Sequence, residues 1–155
     1  MSLARELLGR GHAVRATTRD PARRGELEAT GAEPFVGDPD RVATLGGALD
    51  HVSVAYVLLG SASGAEQHVA ALHGTRLEML LTSMLDTTVH GIVYEAAGTV
   101  DAAVLRAGGA RVRVACEQSR IPYALLSTDP SDHESWLAAA VGAADELLGA
   151  SSPNW

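Results

Sequence analysis

MSLARELLGRGHAVRATTRDPARR, residues 1–24, is the stretch on which the fold turns. Leu3, Leu7 and Leu8 fall on one face of a helix. Gly9 and Gly11 close that helix, a C-cap and turn rather than a ligand loop. Ala13 to Thr18 then reads as a strand, and Asp20-Pro21 starts a short helix with an Asp cap and a proline in its first turn. The first helix reads as the second element of a larger unit, so the question is what sits beside the first strand.

The remaining chain alternates strand and helix. The short helix Arg23 to Thr30 stops at Gly31; AEPFVGD is a strand, and RVATLGGALDH a third helix. VSVAYVLLG is a near-continuous apolar run, expected of a strand covered on both faces. One long helix is expected from Ala65 to Leu85, on the spacing of Val69, Leu72, Leu77, Leu80, Leu81 and Met84. HGIVYEAAG is the next buried strand, a helix through Val104, Val112 and Cys116 follows, and IPYALLSTD is the last strand. Ser131 and Glu134 suggest a capping box for the final helix. The pattern predicts a single three-layer α/β domain over residues 1–150, with a doubly wound parallel sheet and a tail at 151–155.

Composition narrows the chemistry. A net charge of −7 supplies no broad basic face for nucleic acid. No apolar run approaches the length of a membrane span, and the single cysteine, Cys116, fits a reducing cytoplasm. Arginine alone accounts for the Lys+Arg total of 12, so there is no lysine. Schiff-base chemistry and any Tyr/Lys proton-transfer pair are excluded. The histidines suggest no metal site: His68 and His73 stand about 140° apart around a helix.

In a doubly wound sheet, ligands bind beyond the carboxyl ends of the strands, which directs attention to Thr18–Arg24, Gly37–Arg41, Leu59–Gly64, Glu95–Thr99 and Ser127–Pro130. The run LLGRGHAVRATTRDPARR, then GAEPFVGD, VAYVLLG, GIVYEAAGTV and SRIPYALLSTDP, resembles the NAD(P)-binding Rossmann domain of the atypical short-chain dehydrogenase/reductases, the epimerase-like and NmrA-like branch. The resemblance implies a first strand and a glycine-rich turn immediately before the opening helix, and neither is in these residues. The expected fold is therefore a Rossmann sheet with its first strand missing.

The resemblance also implies site residues. Thr18, Arg19 and Arg23 stand where that family discriminates between cofactors, and arginine there favours NADP over NAD, with a solvated basic helix start as the alternative. Asp38 matches an Asp near the adenine, or caps the helix that follows. Gly60 and Ser61 would line the adenosine and ribose, or form a plain loop. The family's Ser and Tyr-x-x-x-Lys catalytic set is absent, leaving Glu95 as a weak candidate base and Tyr94 inside a strand. NADP is the implied cofactor, its binding weakened or lost without the glycine-rich turn. A homodimer through helices near 66–85 and 101–119 is a further implication. The competing reading is a non-enzymatic redox-nucleotide sensor or a dimerising remnant.

Overall fold

The computed structural model describes residues 2–150, so the expected tail at 151–155 lies outside the described residues. Helix α1 (Ser2–Gly9) leads into β1 (Arg15–Thr18), and a 3-10 segment (Pro21–Arg23) continues into α2 (Arg24–Ala29) and β2 (Glu33–Val36). A second 3-10 segment (Val42–Leu49) precedes β3 (Val54–Val57), α3 (Glu66–Leu72) and α4 (Thr75–Leu85). The chain closes with β4 (Gly91–Glu95), α5 (Ala102–Ser119), β5 (Tyr123–Leu126) and α6 (His133–Ala150).

Every strand pair is parallel, but the strands form two sheets. β1 pairs with β2, and β3-β4-β5 form a separate three-stranded sheet. Among the described residues no ladder joins β1 to β3. Helices cover both sides of the break. On one face, Leu7 of α1 packs with Val141 and Ala144 of α6, joined by Val14 before β1 and Tyr56 of β3. The Tyr56 hydroxyl donates to the Ala140 carbonyl at 2.7 Å, and burial, with the nearby Asp145 charge, pushes its pKa up to about 12. On the other face, Leu45 and Leu49 of the second 3-10 segment pack with Ala55 and Val57 of β3. Arg15 reaches across from β1, donating to the carbonyls of Ala48 and Asp50 at 2.8 Å each. The result is a slot between two strand edges, roofed on both faces.

The three-stranded half holds the densest core. All five β4 residues are buried, with Ile92, Val93 and Tyr94 at 0% exposure, as expected where α4 and α5 cover one face and α6 the other. Three sequence expectations need correction. The long helix is two, because His73 and Gly74 break it: Gly74 adopts φ −115°, ψ −108°, and the His73 side chain is drawn into the core. The third helix is of 3-10 type, its Gly46-Gly47 pair giving weak support to an α-turn. The cap of α6 is Asp132, whose Oδ1 accepts from Ser135 N and whose carbonyl accepts from Trp136 N; Ser131 instead lies in a turn closed by Asp129.

Candidate functional site

The strand carboxyl ends bring the sequence-derived residues together in two groups. The first lies at the end of β1 and β2. Thr18 is committed locally: its hydroxyl accepts from Asp20 N at 3.1 Å and donates to the Asp20 carbonyl at 3.3 Å. Asp20 Oδ1 in turn accepts from Ala22 N, which caps the 3-10 start as Asp-Pro predicts. Arg19 is exposed and has no ion-pair or hydrogen-bond partner among the described residues. Arg23 pairs with Glu26 and Arg24 with Glu28, both on the exposed surface of α2. Asp38 Oδ1 accepts from Asp40 N at 2.9 Å, a turn contact that leaves the carboxylate half-buried at the crevice edge. Asp40 meets His68 of α3 at 2.5 Å, bridging the β2 end to the β3 side of the crevice.

The second group lies at the ends of β3 and β4, where the Glu95 carboxylate and the Gly60 backbone are engaged within the protein. Gly60 N donates to Glu95 Oε1 at 2.8 Å, and Gly60 O accepts from Val100 N at 3.0 Å. Ser61 Oγ accepts from Thr99 N at 3.4 Å. The two loops touch through backbone: a Cβ on Gly98 (φ +150°) would lie 2.1 Å from the Gly60 carbonyl oxygen, and one on Gly60 would lie 2.2 Å from that of Ala97. Glu95 is 5% exposed, and its other oxygen accepts from Trp136 Nε1 of α6 at 2.9 Å. Burial raises its pKa, with the Gly60 and Trp136 hydrogen bonds pulling the other way. These contacts make Glu95 a brace between the β3 loop and α6.

Tyr94 is wholly buried one residue earlier, its pKa pushed up to about 12 by burial, with Arg111 lowering it and Glu95 raising it. Its hydroxyl contacts His73 Nδ1 at 2.5 Å rather than the crevice. Sequence reasoning missed His73 and Trp136 as part of this region. The His-Gly dipeptide inside a helical pattern was the available signal for the first, and Trp136 is indistinguishable from a core residue by spacing alone. Among the described residues no group of His, Cys, Asp and Glu could hold a metal ion, and no helix is long and apolar enough to cross a membrane.

The family model described as NAD(P)H-binding matches residues 1–155. The chain belongs to the NAD(P)H-binding family. Its fold is also that of a Citrobacter sp. triphenylmethane reductase solved with NADP(H), with a TM-score of 0.62 at 20% identity over 82% of this chain. Gox2253 gives a TM-score of 0.63 at 21% identity over 80% of this chain. The chain spans 45% and 46% of the lengths of those two structures. No curated protein matches it in sequence. The chain is thus a member of the NAD(P)H-binding family with a Rossmann-like fold of parallel strands.

Proposed function

We propose that residues 2–150 carry the adenosine half of an NADP(H) site, with Arg19 selecting the ribose 2′-phosphate. The observation that carries this reading is the pairing of an Arg19 without a partner among the described residues, at the end of β1, with the unpaired edge of that same strand. Arg19 offers a planar, always-charged donor suited to a phosphate monoester, and Asp38 lies across the crevice edge as an acceptor for an adenine amino group. Gly60 contributes surface rather than hydrogen bonds, since its N–H and carbonyl are held within the protein, while the exposed Ser61 hydroxyl remains able to donate to a ribose. The pyrophosphate half needs a glycine-rich turn that lets backbone N–H groups approach the ligand, and the described residues place none beside the slot. When bound, the nicotinamide cofactor would supply hydride chemistry.

Titration calorimetry with NADPH and NADH tests this on two proteins: the 155-residue chain, and a chain extended before Met1 by an apolar strand and a glycine-rich turn. The short chain is expected to bind weakly or not at all, and the extended one to favour NADPH. Arg19→Ala in the extended chain is expected to remove that preference while leaving NADH affinity unchanged. Tight NADPH binding by the short chain would overturn the missing-half reading, and an unchanged preference in Arg19→Ala would return Arg19 to the solvated surface.

A non-catalytic role is favoured by the buried Tyr94, the fully engaged Glu95 and the absence of lysine, and so this domain acts as a nucleotide-binding module or sensor. Reduction of a triphenylmethane dye by the extended chain with NADPH would instead establish a reductase. We further propose a homodimer contact at the groove of about 390 Å³ between α4 and α5, where Leu85 and Val114 stand exposed beside the Glu78–Arg111 ion pair. Light scattering should report a dimer that Val114→Glu dissociates; a monomeric parent protein would remove this partner.

A further inference from the structure

The break between α3 and α4 turns one histidine into the core. His73 is 1% exposed, and its ring meets Tyr94 edge-on at a centroid distance of 5.8 Å. Its Nε2 lies 2.8 Å from the Leu59 carbonyl oxygen, which can only accept, so Nε2 carries the proton. A neutral ring then has a bare Nδ1, and the Tyr94 hydroxyl donates to it at 2.5 Å. Each atom has one role, and the tautomer is set by its neighbours.

We propose that His73 is a positioning residue for the crevice: as a buried neutral imidazole it fastens the loop Leu59–Ser61, and acidification favours an opened arrangement in which the ring leaves this pocket and carries its proton in solvent. Leu59 is the residue before Gly60, so the contacts run in series. His73 holds the Leu59 carbonyl, Glu95 holds Gly60 N, Val100 N holds the Gly60 carbonyl, and Thr99 N holds Ser61 Oγ. Three separate segments of chain thus fix three consecutive residues at a strand end before any ligand arrives.

Protonation would place a hydrogen on Nδ1 facing the Tyr94 hydroxyl hydrogen. With the ring in place, the hydroxyl would have to turn its hydrogen away and accept from Nδ1, next to an α5 packed so closely that a Cβ on Gly108 would come 2.0 Å from that oxygen. The new charge would be desolvated as well. The charged groups around the pair are few. Arg111 of α5 donates to the His73 carbonyl at 3.5 Å and pairs with Glu78 of α4, and Glu95 follows Tyr94 on β4. Arg111 opposes a cation at His73, whereas Glu95 would favour one.

The sign follows from burial, which lowers the His73 pKa below its usual value, partly offset by the Leu59 hydrogen bond. The unfolded chain then binds the proton first. The clasp is fully present above the ordinary histidine pKa and is lost as pH falls below it through the lowered value. Because buried Glu95 has a raised pKa, its own contribution runs the opposite way, growing on acidification.

Hydrogen–deuterium exchange of the 155-residue chain, corrected for intrinsic rates, tests this without any ligand. The segments covering residues 58–62 and 98–101 are expected to lose protection by about tenfold or more between about pH 7.5 and about pH 5, while β4 keeps its protection. His73→Gln, whose amide still donates to Leu59 and cannot titrate, should abolish the loss on acidification and leave only the opposite dependence carried by Glu95. Equal protection of the wild-type loop at both pH values, or an unchanged pH dependence in His73→Gln, would overturn the proposal. Nitrogen-15 spectra of the wild-type ring provide a check that needs no variant. They should show a protonated Nε2 and a bare Nδ1 near neutral pH, and a protonated Nδ1 there would also overturn it. The proposal rests on the crevice reading only for the purpose of the loop, so failure to bind NADPH would leave the exchange result intact.

Discussion

The two sheets of this molecule are built from the same parallel pairing, yet they stand very differently. In the β3-β4-β5 sheet the central strand is fully buried, and the loops at its carboxyl end are stitched together by Glu95, His73, Thr99 and Val100. In the β1-β2 sheet Thr17, Glu33 and Val36 are exposed, and the cationic groups at its carboxyl end reach solvent. What differs is the number of covered edges. β4 has a neighbour on each side, whereas among the described residues β1 and β3 each turn an unpaired edge to the slot, where backbone N–H and C=O groups lack a ladder partner. Local stability should follow the pairing.

The largest effect is expected where the two stitched loops meet. Gly98→Ala combines a positive φ with a Cβ 2.1 Å from the Gly60 carbonyl oxygen, a backbone atom that cannot swing aside. A loss of about 3 kcal/mol or more is expected in denaturant unfolding, and a change below about 1 kcal/mol would show that the loops are looser than their contacts imply.

Next comes a cavity in the paired half. Ile92→Ala in β4 is expected to cost about 2–5 kcal/mol, because 0% exposed core side chains leave voids that neighbours fill only partly. Its counterpart in the split half, Thr17→Ala on exposed β1, should change stability by less than about 0.5 kcal/mol. Similar losses at both positions would erase the distinction between the sheets.

A smaller effect concerns Glu95. Burial raises its pKa, so the folded chain keeps a proton that the unfolded chain has released. Its contribution to stability is therefore present at low pH and lost as pH rises from the ordinary carboxylate value through the raised one. Glu95→Gln should flatten that slope in thermal melts while costing about 1–2 kcal/mol near neutral pH, since the amide cannot accept from both Gly60 N and Trp136 Nε1 in the same way. An unchanged slope would place the titration elsewhere.

The smallest effect belongs to the surface of α2. Glu26→Gln removes the Arg23 partner, a pair with both side chains more than half exposed, and should shift stability by no more than about 0.5 kcal/mol.

Much of the architecture could be read in advance from particular residues. The apolar runs VSVAYV and GIVYE marked strands covered on both faces, and Asp20-Pro21 marked a helix start that the Asp20 cap now explains. The candidate site was less legible. Arg19 and Asp38 stand at strand ends, where position alone singles them out. The engagement of Glu95 depends on Gly60 and Trp136, 35 and 41 residues away, and no local pattern encodes a contact of that separation.

The sequence by itself determined the alternation of strands and helices, the parallel sheet that such an order demands, and the absence of any lysine for catalysis. These are properties of spacing and composition, and they survive any detail of packing. Only the tertiary structure decided that β1 and β3 stay apart, that one expected helix breaks at His73, and that Tyr94 donates into the core instead of facing a substrate. Each of those outcomes depends on which groups find hydrogen-bond partners once distant segments meet. In MSLARELLGRGHAVRATTR the helix and strand are local; that residues near 50 and near 140 pack over the break beside that strand is a matter of tertiary contact alone.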